Sequence, residues 1–394
     1  MVQRPLIILF SLFSLAAAGQ DTVITASVQG HVFKPAHVDA TDERVQQLSV
    51  PAGFSIQKFA EGLGKPRMLA IYDDSTVYVT RREGDVLLLR DTDGDGKADE
   101  TKSVWQKDQV HGIALKDDQL YLTTVNEVYR ADIKSDGTLK EPEMIMEDLP
   151  DGGQHPNRTI EFGPDGKLYV SVGSTCNACD ETRDENATLL VADADGKNRK
   201  IFAKGLRNTI GFDWHPATGT LFGLDHGIDW LGDDEQKEEL NKLEEGNDYG
   251  WPYIYGDGQY NPADEPPNGV PYDTYAEQVT MPLMQLPAHC APLDMIFYRG
   301  EQFPEDYRND AIVTLRGSWN RSKPSGYKVI RIHFDEAGTP TEYTDLVSGF
   351  LVDNNQAQFG RVVGLAPYPD GSVLISDDTS GVIYCLSYEE PRGK

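Results

Sequence analysis

Apolar and polar residues alternate in short runs along this chain, and each run is broken by an Asp- or Gly-containing turn. One copy reads Met68-Leu-Ala-Ile-Tyr-Asp-Asp-Ser-Thr-Val-Tyr-Val-Thr80, and the next spans 112–124. The phrase returns over 160–172, 212–224 and 365–376. Each copy reads as a short strand, an Asp- or Gly-containing turn and a second strand, which predicts an antiparallel hairpin. The second run of each copy is rich in β-branched and aromatic residues, which suit a pleated, buried surface. The first four copies recur at roughly 45 to 50 residues, the length of a four-stranded propeller blade. The interval from 224 to 365 is too long for one blade. It is expected to hold a blade around 310–315 and a long excursion through the Gly- and Pro-rich stretch 246–292. The pattern therefore predicts an all-β, six-bladed β-propeller. Residues 27–59 are expected to lend strands that close the ring against the C-terminal strand near 382–385.

Length and termini agree with that picture. The 394 residues are accounted for by a single propeller domain over 19–394 with an extended insert around 236–292. Residues 1–18 have a basic start, an apolar run and a small-residue end, the pattern of a cleaved secretory signal peptide. No other stretch is apolar for long enough to span a bilayer. The expectation is a secreted, extracellular protein without a membrane anchor. Sequons at Asn157, Asn186 and Asn320 fit export from a glycosylating host.

The four cysteines suit an oxidising compartment. Cys176 and Cys179 lie in a loop after the strand predicted at 168–172. They read as a local disulfide, or else as a redox pair, although no thioredoxin-like βαβ pattern surrounds them. Zinc would require further thiols or imidazoles nearby in sequence. Cys290 and Cys385 would then pair with each other, fastening the insert to the closing blade. A net charge of -28 with no Lys/Arg cluster argues against nucleic acid and anionic membranes as partners.

Asp91-Thr-Asp-Gly-Asp-Gly-Lys-Ala-Asp99 sets oxygen ligands at every second position around glycine turns, a spacing suited to a hard cation. Asp91, Asp93, Asp95, Lys97 (through its backbone) and Asp99 are the candidate ligands. The twelfth position, where an EF-hand carries its bidentate acid, is Lys102. The alternatives are a structural calcium and an acidic turn without metal.

Charged residues also fall in one phase of the repeat, just before or at the start of its first strand. They are Arg67, His111, Arg158, the pair Arg207-Asn208, and Arg361. Shared phase places them at similar heights around one axis. Each can instead cap a loop or pair with one of the many acids. Taken together, arginines of this kind describe a pocket for a polyanion, because guanidinium grips carboxylates in bidentate fashion. A histidine beside them suits a general base. The loop after the fourth copy, 225–236, is rich in oxygen and glycine and reads as a second cation site or a pocket edge. Arg316 and Trp319 sit together on another turn, suited to anion and ring contact.

These residues resemble the soluble pyrroloquinoline quinone (PQQ)-dependent sugar dehydrogenases, in the branch of sorbosone and fungal pyranose dehydrogenases. The resemblance runs from about 51 to 388. It rests on the order and spacing of 110–114, 205–212, 225–227, 246–252, 289–292, 317–321 and 360–364. It implies PQQ held over the propeller axis with calcium. His111 matches the base that takes the C1 hydroxyl proton, and Arg207 and Asn208 match residues beside the reactive quinone oxygens. Arg361 matches a binder of quinone carboxylates; Arg67 and Arg316 follow from phase and neighbourhood. Gly227 and Ile228 match positions whose carbonyls hold calcium. Departures from the bacterial glucose-dehydrogenase pattern are Val110 in place of an acid, His226 in place of glutamine, and Ile228 in place of proline. The implied substrate is therefore a pyranose or keto-aldose, oxidised at the C1 hydroxyl or aldehyde hydrate. Electrons would pass to an external acceptor, a cytochrome or a copper oxygenase. The rival readings are a calcium-dependent lactonase-type propeller hydrolase, whose channel mouth should be rich in acids, and a non-enzymatic glycan-binding propeller.

Overall fold

The computed structural model describes residues 29–262 and 264–390, so the expected signal peptide lies outside the described residues. Each repeated phrase forms the hairpin that its alternation predicts. The pairs are Pro66–Ile71 with Thr76–Arg81, Ile113–Lys116 with Gln119–Thr123, Ile160–Phe162 with Leu168–Val172, Phe212–Trp214 with Leu221–Asp225, and Val362–Pro367 with Val373–Asp377. Each grows into a four-stranded antiparallel sheet, and a further sheet of the same kind begins at Pro292–Phe297 and Ala311–Leu315. We call these sheets one to six in the chain order of the inner hairpins that begin at 66, 113, 160, 212, 292 and 362.

Burial within a sheet follows position. In sheet one, Thr76–Arg81 and Asp85–Arg90 are buried almost throughout, whereas Glu100–Gln106 is mostly exposed. The outer edge thus carries the charged residues that discourage pairing with another chain. Sheets are joined by apolar contacts between their faces. Tyr78 and Leu88 of sheet one pack with Leu120 and Leu122 of sheet two. Tyr121 and Val128 then pack with Val170 and Leu190 of sheet three. Leu189 meets Leu221 of sheet four, and Leu224 meets Val313 of sheet five. Val329 meets Ile375 of sheet six, while Leu374 and Ile383 return to Val77 and Val79 of sheet one. The result is a predominantly all-β, propeller-like arrangement.

Two features differ from the pattern-based expectation. The excursion in sheet four is narrower than 236–292, because Glu238–Lys242 and Met284–Leu286 are paired strands of the sheet itself. Between them lie the small hairpin Ile254–Tyr255 with Gln259–Tyr260 and the helix Tyr272–Ala276. Cys290 and Cys385 are buried free thiols packed in separate apolar clusters, so the expected bridge between them is corrected. Alternation cannot report that separation, since both cysteines read simply as apolar core positions. Cys176 and Cys179 do form the local disulfide. From the 27–59 stretch, Phe54–Ala60 pairs with Val382–Tyr388 as the outer strand of sheet six, with Phe54 opposite Tyr388. No helix among the described residues is long and apolar enough to cross a membrane.

Candidate functional site

The first strands of all six sheets contribute to a cavity of about 700 Å3. A second cavity of about 570 Å3 is lined by Arg67, Arg207, Asn208 and Arg361 of the residues that share a phase in the sequence, whereas His111 and Arg158 lie outside its wall. Arg67, Arg207, Asn208, His226, Gly227, Arg316 and Arg361 all line it.

Three guanidiniums gather on one acid, and a fourth lies beside them. Arg67 donates Nη1 to Asp378 at 2.8 Å, and Arg316 donates Nε and Nη2 to both carboxylate oxygens at 2.9 to 3.2 Å. Arg82 stands 4.0 Å from the same carboxylate. Burial alone would raise the Asp378 carboxyl, but the charges of Arg67 and Arg316 more than offset it and hold it at about 2. Arg361 donates to the carbonyls of Arg316 and Gly317, and its guanidinium lies 5.4 Å from the Tyr327 ring centre. Burial lowers Arg67 and Arg361 to about 10, so both stay charged near neutrality. Several donors here are unused: Arg67 Nε is buried without a partner, and Arg361 Nη1 makes no hydrogen bond among the described residues. One end of the cavity is therefore strongly cationic in a protein of net charge -28.

Arg207 and Asn208 belong to another wall. The carboxylate of Asp225 accepts both of their backbone N–H groups, at 2.9 and 2.8 Å. Burial raises Asp225 to about 6, with these hydrogen bonds opposing it. The Arg207 side chain donates to Asn177, inside the Cys176–Cys179 loop, and to Asp229 at 3.0 Å. The disulfide thus stiffens the loop that aims this arginine.

The histidines differ in what their nitrogens are free to do. His111 is 3 % exposed and is not part of the cavity wall. Its Nδ1 lies 2.9 Å from the Arg158 carbonyl and so carries the proton; its Nε2 accepts from Arg67 Nη2 at 3.1 Å. Burial, then the Arg67 charge, lowers its pKa to about 3. Both nitrogens of His226 are taken as well, Nε2–H by the Pro292 carbonyl and Nδ1 by Asn208. Burial lowers it to about 4. His155 is different. Its Nδ1–H donates to the Ser174 carbonyl at 3.0 Å, which leaves the Nε2 lone pair without a partner in a residue that lines the cavity. Burial, followed by the charge of Arg207, lowers His155 to about 3.

Gly227 and Glu238 complete the wall, and Ile228 follows as a buried residue packed with Ala187 and Trp251. Glu238 accepts the Gly227 N–H at 2.8 Å and the Ala291 N–H at 3.1 Å, and Gln236 accepts the Ile228 N–H at 3.0 Å. A Cβ at Gly227 would meet the Gln236 carbonyl oxygen at 2.6 Å, so no larger residue fits. The carbonyls of Gly227 and Ile228 accept no hydrogen bond among the described residues. Two free carbonyl oxygens fit a hard cation, and the cluster of arginines fits a polycarboxylate. The residues present are thus compatible with calcium and PQQ.

The Asp91 loop lies apart from this cavity. Ligand atoms of Asp91, Asp93 and Asp99 gather within 4.8 Å of one another. Asp95 stays outside that group and accepts the Lys97 N–H instead. Two of the expected glycosylation acceptors are corrected. Asn186 and Asn320 are buried, with their amide nitrogens donated to Asp151 and Gly173 and to Asp229 respectively. Asn157 lies in the cavity wall.

Sequence reading missed His155, Asp378 and Glu238. His155 carries a readable signal, because it stands in the loop immediately ahead of the third repeat. Asp378 follows the last repeat by two residues, yet nothing in the sequence brings it to Arg67, 311 positions away.

Fold and site together define a propeller-like all-β protein with a cationic cavity at the entry of its inner strands. Solved structures share this fold. The iodide structure of Trichoderma reesei Carbohydrate-Active Enzymes Family AA12 superposes with a TM-score of 0.77 at 20% identity, covering 88% of this chain and 98% of that one. The holo form of the pyranose dehydrogenase PQQ domain from Coprinopsis cinerea gives 0.73 at 20% identity, covering 91% and 100%. Residues 48–389 match the TrAA12-like family, and the chain belongs to it. An uncharacterized protein of Borreliella burgdorferi is 32% identical over 371 residues, covering 89% of this chain and 93% of its own. The pyrroloquinoline quinone-dependent pyranose dehydrogenase of Coprinopsis cinerea is 25% identical over 403 residues, 86% of this chain. This chain spans about half the length of that relative (54%).

Proposed function

We propose that this protein is a PQQ- and calcium-dependent oxidoreductase. It oxidises the C1 hydroxyl or aldehyde hydrate of a pyranose or keto-aldose on a closed six-bladed propeller and passes electrons to an external acceptor, a cytochrome or a copper oxygenase. The observation that carries the reading is the cationic cluster of Arg67, Arg82 and Arg316 at Asp378 with Arg361 beside it, because it describes a receptor for several carboxylates. The names of the Coprinopsis relative and of the sugar dehydrogenase of Hypocrea jecorina, 22% identical over 338 residues, support it.

When bound, the quinone would supply a two-electron hydride acceptor, polarised by calcium. Arg67, Arg316 and Arg361 would hold its carboxylates, and the carbonyls of Gly227 and Ile228 would hold the cation. Arg207 and Asn208 present N–H donors to the same cavity, where they favour negative charge as it develops. We assign the base to His155 in place of His111. Its Nε2 is free in the cavity, and Ser174 fixes the other nitrogen as the donor, so the C1 hydroxyl proton would arrive on Nε2. His111 has no lone pair to offer while Arg67 holds it.

Reconstitution tests the whole reading. Metal-free protein given PQQ and calcium should reduce a dye in the presence of pyranoses. Stripping calcium should abolish that activity and re-addition should restore it. Full turnover in excess chelator, with quinone demonstrably bound, would overturn the calcium role. We also propose a structural calcium at Asp91, Asp93 and Asp99. Asp93→Ala should abolish any calcium-dependent rise in the thermal midpoint, as mass action on the folded state requires. A rise equal to wild type would show that this loop holds no ion.

A further inference from the structure

His111 stands outside the cavity wall, is nearly sealed from solvent and uses both of its nitrogens. We propose that His111 is a positioning residue: it passes the fixed geometry of the Arg158 carbonyl to the Arg67 guanidinium and so aims Arg67 at the anion held in the cavity. The inference rests on the proposed anion site, formed by Arg67, Arg316 and Arg361.

The chain of contacts is continuous. Arg158 is fully buried, and its guanidinium donates to the carbonyls of Val125, Pro150 and His155 at 2.7 to 3.1 Å. It has no carboxylate partner among the described residues, so its backbone is held by loops rather than by a flexible ion pair. Its own carbonyl accepts the His111 Nδ1–H at 2.9 Å. That bond sets the tautomer, because a carbonyl cannot donate, and it leaves Nε2 as an acceptor only. The Arg67 Nη2 fills that acceptor at 3.1 Å, while Nη1 is fixed by Asp378 at 2.8 Å. A planar guanidinium pinned at two nitrogens has its third direction determined. Its Nε is the donor left buried and unpaired.

The arrangement suits a neutral imidazole and no other common side chain. A protonated histidine would place a second cation against Arg67. Burial and the Arg67 charge exclude that form, holding His111 at about 3. A carboxylate in its place would pair with Arg67 and cancel the charge needed for an anion. His111 therefore orients the arginine without neutralising it.

The test separates aiming from proton transfer. Binding of PQQ, and of citrate as a simple tricarboxylate probe, is measured by calorimetry on wild type, His111→Ala, His111→Gln and Arg67→Met. Losing one hydrogen bond to a charged group should weaken both ligands by about tenfold in His111→Ala. His111→Gln, whose amide oxygen can replace the Nε2 acceptor, should recover most of that loss. In an Arg67→Met background the His111→Ala change should have no further effect, since the two residues act as one unit. If His111→Ala does not fold, His111→Asn carries the same comparison with His111→Gln, because its amide oxygen is too short to reach Arg67. The inference is overturned if His111→Ala binds citrate as wild type does, or if it weakens binding equally with Arg67 absent. Failure of wild type to bind any tricarboxylate would overturn it too. Citrate binding without PQQ binding would instead sink the proposed cofactor and leave this role of His111 standing.

Discussion

Replacing His155 with alanine should lower the turnover number by at least about a hundredfold, the low end for a positioned proton transfer. Quinone affinity should change little, because His155 contributes no cationic donor to the arginine cluster. Stopped-flow reduction of preloaded quinone by a pyranose is the measurement of choice, since it does not depend on the downstream acceptor. Wild-type reduction rates in His155→Ala would remove the residue from the mechanism. The pH dependence carries a sign of its own. A base works only when unprotonated, and burial with the Arg207 charge lowers His155 to about 3. An ordinary imidazole would lose its lone pair as pH falls through about 6.5. The reductive rate here should instead hold through that range and fall only as pH approaches about 3. A half-maximal rate near about 6.5 would point to a base with an unshifted pKa.

Asp378→Asn should be the most destabilising single change at the site. Its carboxylate is 3 % exposed and is the shared partner of Arg67 and Arg316. Removing one member of a buried ion pair leaves charge without compensation and costs about 3 to 5 kcal/mol. Denaturant unfolding measures this directly. A tricarboxylate ligand should return part of the loss, because its negative charges enter the same cationic group. A stability within about 0.5 kcal/mol of wild type, the usual range for surface substitutions, would show that the arginines do not depend on this acid.

Much of this architecture is legible in the sequence. Short, largely apolar runs over 68–71, 76–80 and their repeats mark the inner hairpins, because those strands are buried on both faces between neighbouring sheets. The phase of Arg67, Arg207 and Arg361 reports the cavity for the same reason, since equal offset from equivalent strands gives equal height. Phase does not report which way a side chain turns. His111 shares it, yet rotates behind Arg67 to meet the Arg158 carbonyl. Partners distant in the chain are also invisible: Asp378 reads as one more turn acid until sheet six is laid beside sheet one. The Cys290–Cys385 bridge failed on the same ground, because sequence gives the number of thiols and not the cluster in which each is packed.

The outer strand of sheet six has a consequence for the time course of synthesis. Phe54–Ala60 leaves the ribosome long before Val382–Tyr388, the strand it pairs with. Until then its backbone N–H and C=O groups on that edge have no native partner, and sheet one lacks one of its apolar neighbours, Leu374 and Ile383. Contacts so remote in sequence form slowly, after the cost of closing a very long loop has been met. A nascent chain of this protein therefore cannot complete sheet six until Tyr388 has emerged.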